Sequence, residues 1–458
     1  MRHSLHWDRE TLRTIFTLAL PTMIEQFMQT CVQYIDTAMV GTLGTAATAA
    51  VGATSTVNWL VGSTVSAFGV GFLALISQAC GAGDEHKARA CAAQAFTVTG
   101  CIGLLMTCIT LLLSHKIPIW MQTDPGIRQT AESYFRILYM PMLFRTSTII
   151  LGMVLRSAGD TRSPMRIGFL VNGINVVLNF FMIYPTRNLA WLFNWQVPGM
   201  GLGVEGAAWA SSIAYTVGGI AIAWKVWRHP AVSPKGFPLS PDKSILLPCM
   251  RISFPNMFQR FGTSLGYVVF AALINSLGGT ATAAHTIANT VESAFYIPGW
   301  GMQTAAATLA GNAYGANDRE GLKKLSYTFL VLEVVLMLVS GSLLFLLARP
   351  LVGLFSSDPQ VIRLGTTVLR MVAVSEPFYG IPIIVEGMMQ GQGSTRIPLI
   401  YNLCGMWFVR ILGTYVMLQV AGYGLEAAWG CMIAHNLLLF ILFGRVYLSG
   451  RWIRLSGE

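Results

Sequence analysis

The chain predicts an all-α membrane protein with 12 transmembrane helices in two homologous six-helix bundles. Three observations carry that expectation. Of its 458 residues, 54% are hydrophobic and 11% charged, against roughly a quarter charged in an ordinary soluble domain. Runs of about 20 mostly apolar residues, the length a helix needs to cross the hydrocarbon core, recur from end to end. A shift of 234 residues also lays the chain on itself: Pro21 falls on Pro255, Gly44 on Gly278, Gly81 on Gly315 and Asp84 on Asp318.

Taken in order, the apolar runs place spans near residues 14–40, 52–79, 91–113, 129–156, 165–184, 203–224, 245–275, 285–313, 325–347, 363–390, 399–420 and 424–447. The first follows a polar start, "MRHSLHWDRETLR", without an A-x-A cleavage site, so it reads as a retained span. Twenty of the 30 Lys and Arg fall in segments on the side that holds both termini, and five fall in segments on the other side. That bias predicts cytoplasmic ends. The net charge of +10 is spread over short connectors rather than gathered in a patch, which points to lipid headgroups and away from nucleic acid. Eight cysteines without a CxxC pair lie mostly in apolar runs and read as small hydrophobes, not metal or redox groups.

The repeat organises the chain into an N-terminal lobe (1–226), a proline-rich linker (227–243) and a C-terminal lobe (244–458). Its clearest match is "RSAGDTRSP" at 156–164 against "QGQGSTRIP" at 390–398; after a deletion of 14, Trp209 falls on Trp429. Six helices per repeat is an even number, so the two copies enter the membrane in the same sense. Parallel repeats of this kind suit alternating access around a site near the bilayer midplane. No nucleophile elbow, phosphate loop or metal-spaced His/Cys cluster is present, so an enzyme is not expected.

Within this apolar background the polar residues are informative. An ionised side chain at bilayer depth costs at least ~2.5–3.5 kcal/mol, so Asp36 in "VQYIDTAMVGTLG" asks for a functional explanation. Glu25, Gln29, Gln33 and Asp36 stand at i, i+4, i+8 and i+11, one stripe of the first helix. Asn172, Asn175 and Asn179 share a face of the fifth span, and Ser211, Ser212 and Tyr215 add hydroxyls on the sixth. The plainer alternatives are interhelical hydrogen bonding by the asparagines and a structural ion pair of Asp36 with Arg145. The second repeat does not copy the acid, since Phe270 occupies the equivalent position. Its own embedded acids are Glu292, Glu376 and Glu386. The 22 methionines, Met389 among them, and aromatics such as Trp300 suit a surface that repacks around varied ligands, while core filling explains most of them individually.

Five stretches in register, "PTMIEQFMQTCVQYIDTAMVGTLG", "SQACGAGDEHKAR", "LRSAGDTRSP", "GLGVEGAAWASSIA" and "AATLAGNAYGANDREGLKK", resemble the multidrug and toxic compound extrusion (MATE) family over essentially the full chain. The resemblance implies a V-shaped pair of lobes in a bacterial-type cytoplasmic (inner) membrane. It implies an antiporter, not an enzyme, that exports amphiphilic, mostly cationic compounds against protons or sodium. A monomer in membrane lipid is implied, with no cofactor beyond the coupling ion. The resemblance also places an ion or proton site at Asp36, Asn175, Asn179 and Ser211, where sodium is the one metal to consider. Some relatives carry an aspartate at the position of Asn179, so this chain has one charge fewer there. Glu25, Gln29, Gln33, Asn172, Tyr215, Glu292, Trp300, Glu386 and Met389 are candidates for the substrate cavity. Acids used in spans seven and ten by one branch are not carried over, because span seven offers Gln259 and Arg260 instead. A lipid-linked saccharide flippase of the same superfamily is the alternative, with Arg145, Arg260 and Arg410 as phosphate partners.

Overall fold

The structure, a computed structural model, describes residues 9–121, 123–189, 195–450 and 452–453. It is built of long helices: α1 (Arg9–Gly41), α2 (Thr45–Gly81), α3 (Glu85–Leu113), a single turn α4 (Lys116–Trp120), α5 (Arg128–Tyr139), α6 (Met142–Ser157), α7 (Arg162–Met182), α8 (Gly203–Trp227), α9 (Lys243–Asn275), α10 (Gly279–Gly315), α11 (Arg319–Gly353) and α12 (Pro359–Gly391). The next run, Arg396–Val420, passes from α13 (Arg396–Cys404) through π-helical turns at Gly405–Ile411, α14 (Leu412–Tyr415) and further π turns at Val416–Val420. It is followed by α15 (Leu425–Leu448).

Among the described residues nine helices are long and apolar enough to cross a membrane, or ten when α5 and α6, bent by 51° at their junction, count as one span. Long helices α1 (33 residues) and α10 (37 residues) fall outside that set. Both exceed the length required, and polar side chains set them apart: Glu25, Gln29, Gln33 and Asp36 on one, His285, Asn289, Glu292 and Gln303 on the other.

An antiparallel hairpin, β1 (Pro185–Leu189) and β2 (Trp195–Met200), connects α7 to α8. The apolar runs place residues 185–202 between two spans. The hairpin lies in the stretch between Pro164 and Trp209, where the first repeat is 14 residues longer than the second.

The repeat is visible in the backbone. Gly44 and Gly278 turn at φ 107° and 101°, Gly159 and Gly393 at 84° and 80°, and Gly83 and Asn317 at 71° and 58°. Each pair is separated by 234 positions. In the last pair the second copy uses asparagine, a side chain that tolerates the left-handed region. The helix-ending bonds repeat as well: Asp84 N to Ala79 O (3.0 Å) and Asp318 N to Ala313 O (2.9 Å), Asp160 N to Leu155 O (3.0 Å) and Ser394 N to Met389 O (2.8 Å). These six-to-one closures satisfy carbonyls that the helix end would leave open.

By contacts the chain forms two compact units. One comprises Met1–Gln26, Leu73–Asp84 and Pro248–Glu458, the other Phe27–Phe72 and Glu85–Leu247. Within the first, the end of α2 crosses the end of α10 at backbone distance. A Cβ on Gly81 would strike the Asn312 carbonyl, and one on Gly315 would strike that of Gln78. These are reciprocal partners, since Gly81 and Gly315 are equivalent, as are Gln78 and Asn312. Ser77 meets its own equivalent, Gly311, so a local two-fold axis passes between them. Gly391 joins the crossing through Gln78 Nε2, which donates to its carbonyl (2.9 Å). Small residues of this kind are what membrane helices use to approach closely.

In the second unit the linker is tied to α3. Gln94 Nε2 donates to Ser240 O (2.9 Å) while its Oε1 accepts from Asp242 N (3.0 Å), and Arg89 donates to Pro230 O (2.7 Å). Asp242 opens α9 by accepting from both Ser244 N and Oγ, bonds that hold its carboxyl below the usual range. At the other end of the linker, His229 Nδ1 accepts from Ala231 N (3.3 Å), and Nε2 faces Asp160 at 3.9 Å. Burial pushes this imidazole below 6.5, with Asp160 opposing and Lys225 reinforcing the shift. The folded chain therefore holds His229 neutral at a pH where the unfolded chain protonates it. Its contribution to stability is present above the unfolded pKa and is lost as pH falls below about 6.5. His229→Gln is expected to reduce the drop in thermal midpoint between about pH 7 and 5. An identical drop in the variant would show that His229 does not titrate in this way.

Candidate membrane-embedded polar site

Three helices of the second unit converge on Asp36. Gly206 of α8 lies where a Cβ would stand 2.5 Å from the Met182 carbonyl, so α7 and α8 run in close contact. Tyr184, just past α7, donates to Met39 O (3.1 Å) and pairs with Thr42 Oγ1 (2.9 Å), fastening the end of α1 to that pair. Val40, Ala47, Ile183, Val204 and Ala207 form a small apolar core beside them.

Asn179 Nδ2 donates to Asp36 Oδ1 at 2.6 Å. Asn175, in the amide orientation that satisfies both of its ends, donates to Asp36 Oδ1 (2.7 Å) and accepts from Ser211 Oγ (2.9 Å). Both asparagines are buried and Asp36 is half-buried. The amide oxygen of Asn179 is buried without a hydrogen-bond partner among the described residues. Among the described residues no Lys, Arg or His lies within 4.0 Å of the Asp36 carboxylate. The four positions implied by resemblance therefore form one connected cluster.

Arg145 has other partners. It donates to Asn58 Oδ1 (2.5 Å), which also accepts from Tyr139 (3.0 Å), and its guanidinium lies 5.1 Å from the Tyr215 ring centre. The structural ion pair with Asp36 weighed from sequence is thus absent, because Asn58 and the aromatic rings hold the cation. Asn172 is half-buried. Gln29 and Gln33 are exposed, whereas Glu25, on the part of α1 that belongs to the first unit, is buried.

The first unit has its own embedded acids. Glu386 accepts from Gln259 (2.7 Å), Gln390 (2.9 Å) and Asn402 (3.1 Å), so it too is held by amides. Arg260 donates to Asn256 (2.7 Å). Glu292 and Glu376 are buried, as is Glu333 of α11, whose carboxylate oxygens find no partner among the described residues. Glu333 is not among the acids singled out above; its sequence signal is a lone acid in the run "FLVLEVVLML". Gly299 makes room for its Oε1, which would stand 2.6 Å from a Cβ there. Trp300 is half-buried edge-on to Tyr296, and Met389 is fully buried in the core of this unit. Arg410 projects from the π-helical turns and stacks on Tyr267 and Phe270, 4.7 and 4.2 Å from their centres.

Repeated membrane helices with carboxylates and amides buried among them define a polytopic membrane transporter. A family model described as MatE matches residues 21–181 and 255–416, and the chain belongs to the MATE family. It is 28% identical to a probable multidrug resistance protein NorM of Thermotoga maritima over 97% of this chain and 93% of that one. It is 24% identical to the multidrug resistance protein MdtK of Photorhabdus laumondii over 95% and 94%. The fold matches a MOP superfamily transporter from Pyrococcus furiosus, described as having a binding pocket of reverse polarity, with a TM-score of 0.88 at 24% identity over 97% of both chains. It also matches an outward-facing multidrug resistance MATE transporter with a TM-score of 0.87 at 23% identity over 96% of both.

Proposed function

We propose that this protein is a multidrug exporter of the bacterial inner membrane that moves amphiphilic, mostly cationic compounds outward in exchange for protons taken up at Asp36. In this reading α1 and α10 also cross the membrane, which gives twelve spans with both termini cytoplasmic. The relatives named as multidrug resistance proteins support the export reading. The observation that carries the coupling site is Asp36 held by the amides of Asn175 and Asn179, with no Lys, Arg or His within 4.0 Å of it among the described residues.

The Asn179 amide nitrogen faces the carboxylate, and that of Asn175 does so in the orientation assigned from its hydrogen bonds; together they would solvate a charge without an ion. Sodium would ask for amide oxygens in their place and for more negative charge to offset its dehydration. A proton asks for less. A half-turn of the Asn179 amide brings its unpartnered oxygen to face a protonated Asp36, replacing N–H···O⁻ by O–H···O. Two hydrogen-bonded states then alternate with the load on the acid, and helices α1 and α7 feel the exchange directly.

The test is dye export from proteoliposomes under a proton gradient or a sodium gradient, each imposed alone. Export driven by the proton gradient is expected. Export driven by sodium at fixed pH, without a membrane potential, would overturn proton coupling while leaving export intact.

Pro21 lies inside α1 and removes one backbone hydrogen bond, making a bending point; Pro255 does the same at the equivalent place in α9. Pro21→Ala is expected to slow turnover while substrate affinity stays within about twofold, or ~0.4 kcal/mol. Unchanged turnover would make the proline a passive break.

A further inference from the structure

An apolar groove of about 450 Å³ runs between α3, α6 and α8 of the second unit. At one end the helices touch through glycine: a Cβ on Gly103 would stand 2.7 Å from Leu143 Cα, and one on Gly219 would stand 2.5 Å from the Phe144 carbonyl. Toward the other end the facing positions are Phe96, Leu151, Trp224 and Trp227, whose bulk holds the helices apart. Between them Gly100 faces open space, with nothing within 4 Å of its would-be Cβ. The result is a wedge, closed at depth, widest at Gly100 and bounded at the Trp227 end by Phe96 packed edge-on to Trp227, ring centres 5.8 Å apart.

Its walls are apolar, and α3 and α8, with α6 when joined to α5, are of membrane-crossing length and hydropathy, so hydrocarbon fills it at less cost than water. The Trp227 end has a different chemistry. Trp224 is 56% exposed and Trp227 41% exposed on the last turn of α8. Arg228 follows, its guanidinium 4.6 Å from the Trp224 ring centre, and Lys225 shares the turn. Asp160, the acid facing His229 of this corner, has both oxygens engaged by Ser163. Indoles with a pair of cations at the end of a membrane helix mark the headgroup level and favour a phosphate.

We propose that this groove binds an anionic phospholipid, with one acyl chain in the wedge and the phosphate at Arg228 and Lys225. The site is separate from Asp36 and its partners, and it holds whether or not protons are the coupling ion. Two cations at about 1 kcal/mol each predict a preference for an anionic over a zwitterionic headgroup of roughly tenfold or more.

The experiment is native mass spectrometry of the delipidated protein titrated with dioleoyl phosphatidylglycerol or dioleoyl phosphatidylcholine. One phosphatidylglycerol per chain is expected to be retained with that preference. Arg228→Gln, at an exposed helix end, is expected to weaken phosphatidylglycerol about fivefold and phosphatidylcholine less, since choline offsets the charge of its phosphate. Gly100→Leu, which fills the open part of the wedge, is expected to remove the retained lipid of either kind while the thermal midpoint holds. Equal retention of the two lipids by the wild-type chain would overturn the proposal, as would phosphatidylglycerol binding that survives both substitutions. So would a dimer, formed without lipid, that Gly100→Leu dissolves, since a second chain would then be the occupant.

Discussion

Asp36→Asn is expected to abolish gradient-driven dye export, to the level of vesicles without protein, in a chain that still folds. The substitution keeps the shape of the side chain and removes its charge and its ability to exchange a proton. Asn179 and Asn175 now donate to Asp36. Both reach Oδ1, so an amide oxygen in its place still accepts from each, through weaker uncharged bonds. Even the loss of one such bond is worth only about 1–3 kcal/mol, a fraction of the stability of a domain. Thermal unfolding and size-exclusion profiles should therefore stay close to wild type while transport disappears. Wild-type export by a well-expressed variant would remove Asp36 from the coupling mechanism.

The second large effect is expected at Asn179. Cutting it to alanine deletes the 2.6 Å bond to Asp36 and the oxygen assigned to the protonated state. A hydrogen bond to a charged group contributes about 1.5–3 kcal/mol, so turnover should fall roughly ten- to a hundredfold. Proton coupling predicts a displaced pH optimum in what remains, with rates indifferent to sodium. A sodium ion held by that oxygen would instead give the variant a higher half-saturating sodium concentration. Measuring residual export across a sodium titration at fixed pH separates these outcomes, and a sodium requirement would falsify the proton assignment.

Hydropathy and the 234-residue shift made most of this fold legible, because lipid forces each spanning segment to satisfy its own backbone and so writes each helix locally. The hairpin at 185–200 escaped because it lies between spans, where that constraint lapses. Polar α1 and α10 are legible by their length and by the repeat. At the site, periodicity put Asn172, Asn175 and Asn179 on one face but had no means of bringing Asn179 to Asp36, 143 positions away. That pairing came from the family resemblance. Asn58, which takes Arg145, left no trace in the sequence beyond its polarity, since tertiary packing alone selects it.

At the crossing of α2 and α10, Ser77 faces Gly311 across a local two-fold axis. In an assembly of two separate, identical chains, a residue on such an axis would face a copy of itself, and serine against serine would collide where serine against glycine fits. Duplication followed by fusion into one chain lifts that requirement. Each copy is then free to evolve its half of a symmetric frame independently. The same licence shows at the equivalent positions Asp36 and Phe270, where one copy keeps a carboxylate among amides and the other carries an arene beneath Arg410. A single polypeptide can thus place opposite chemistry at matching points of its halves, an asymmetry that one gene encoding identical subunits has no way to write.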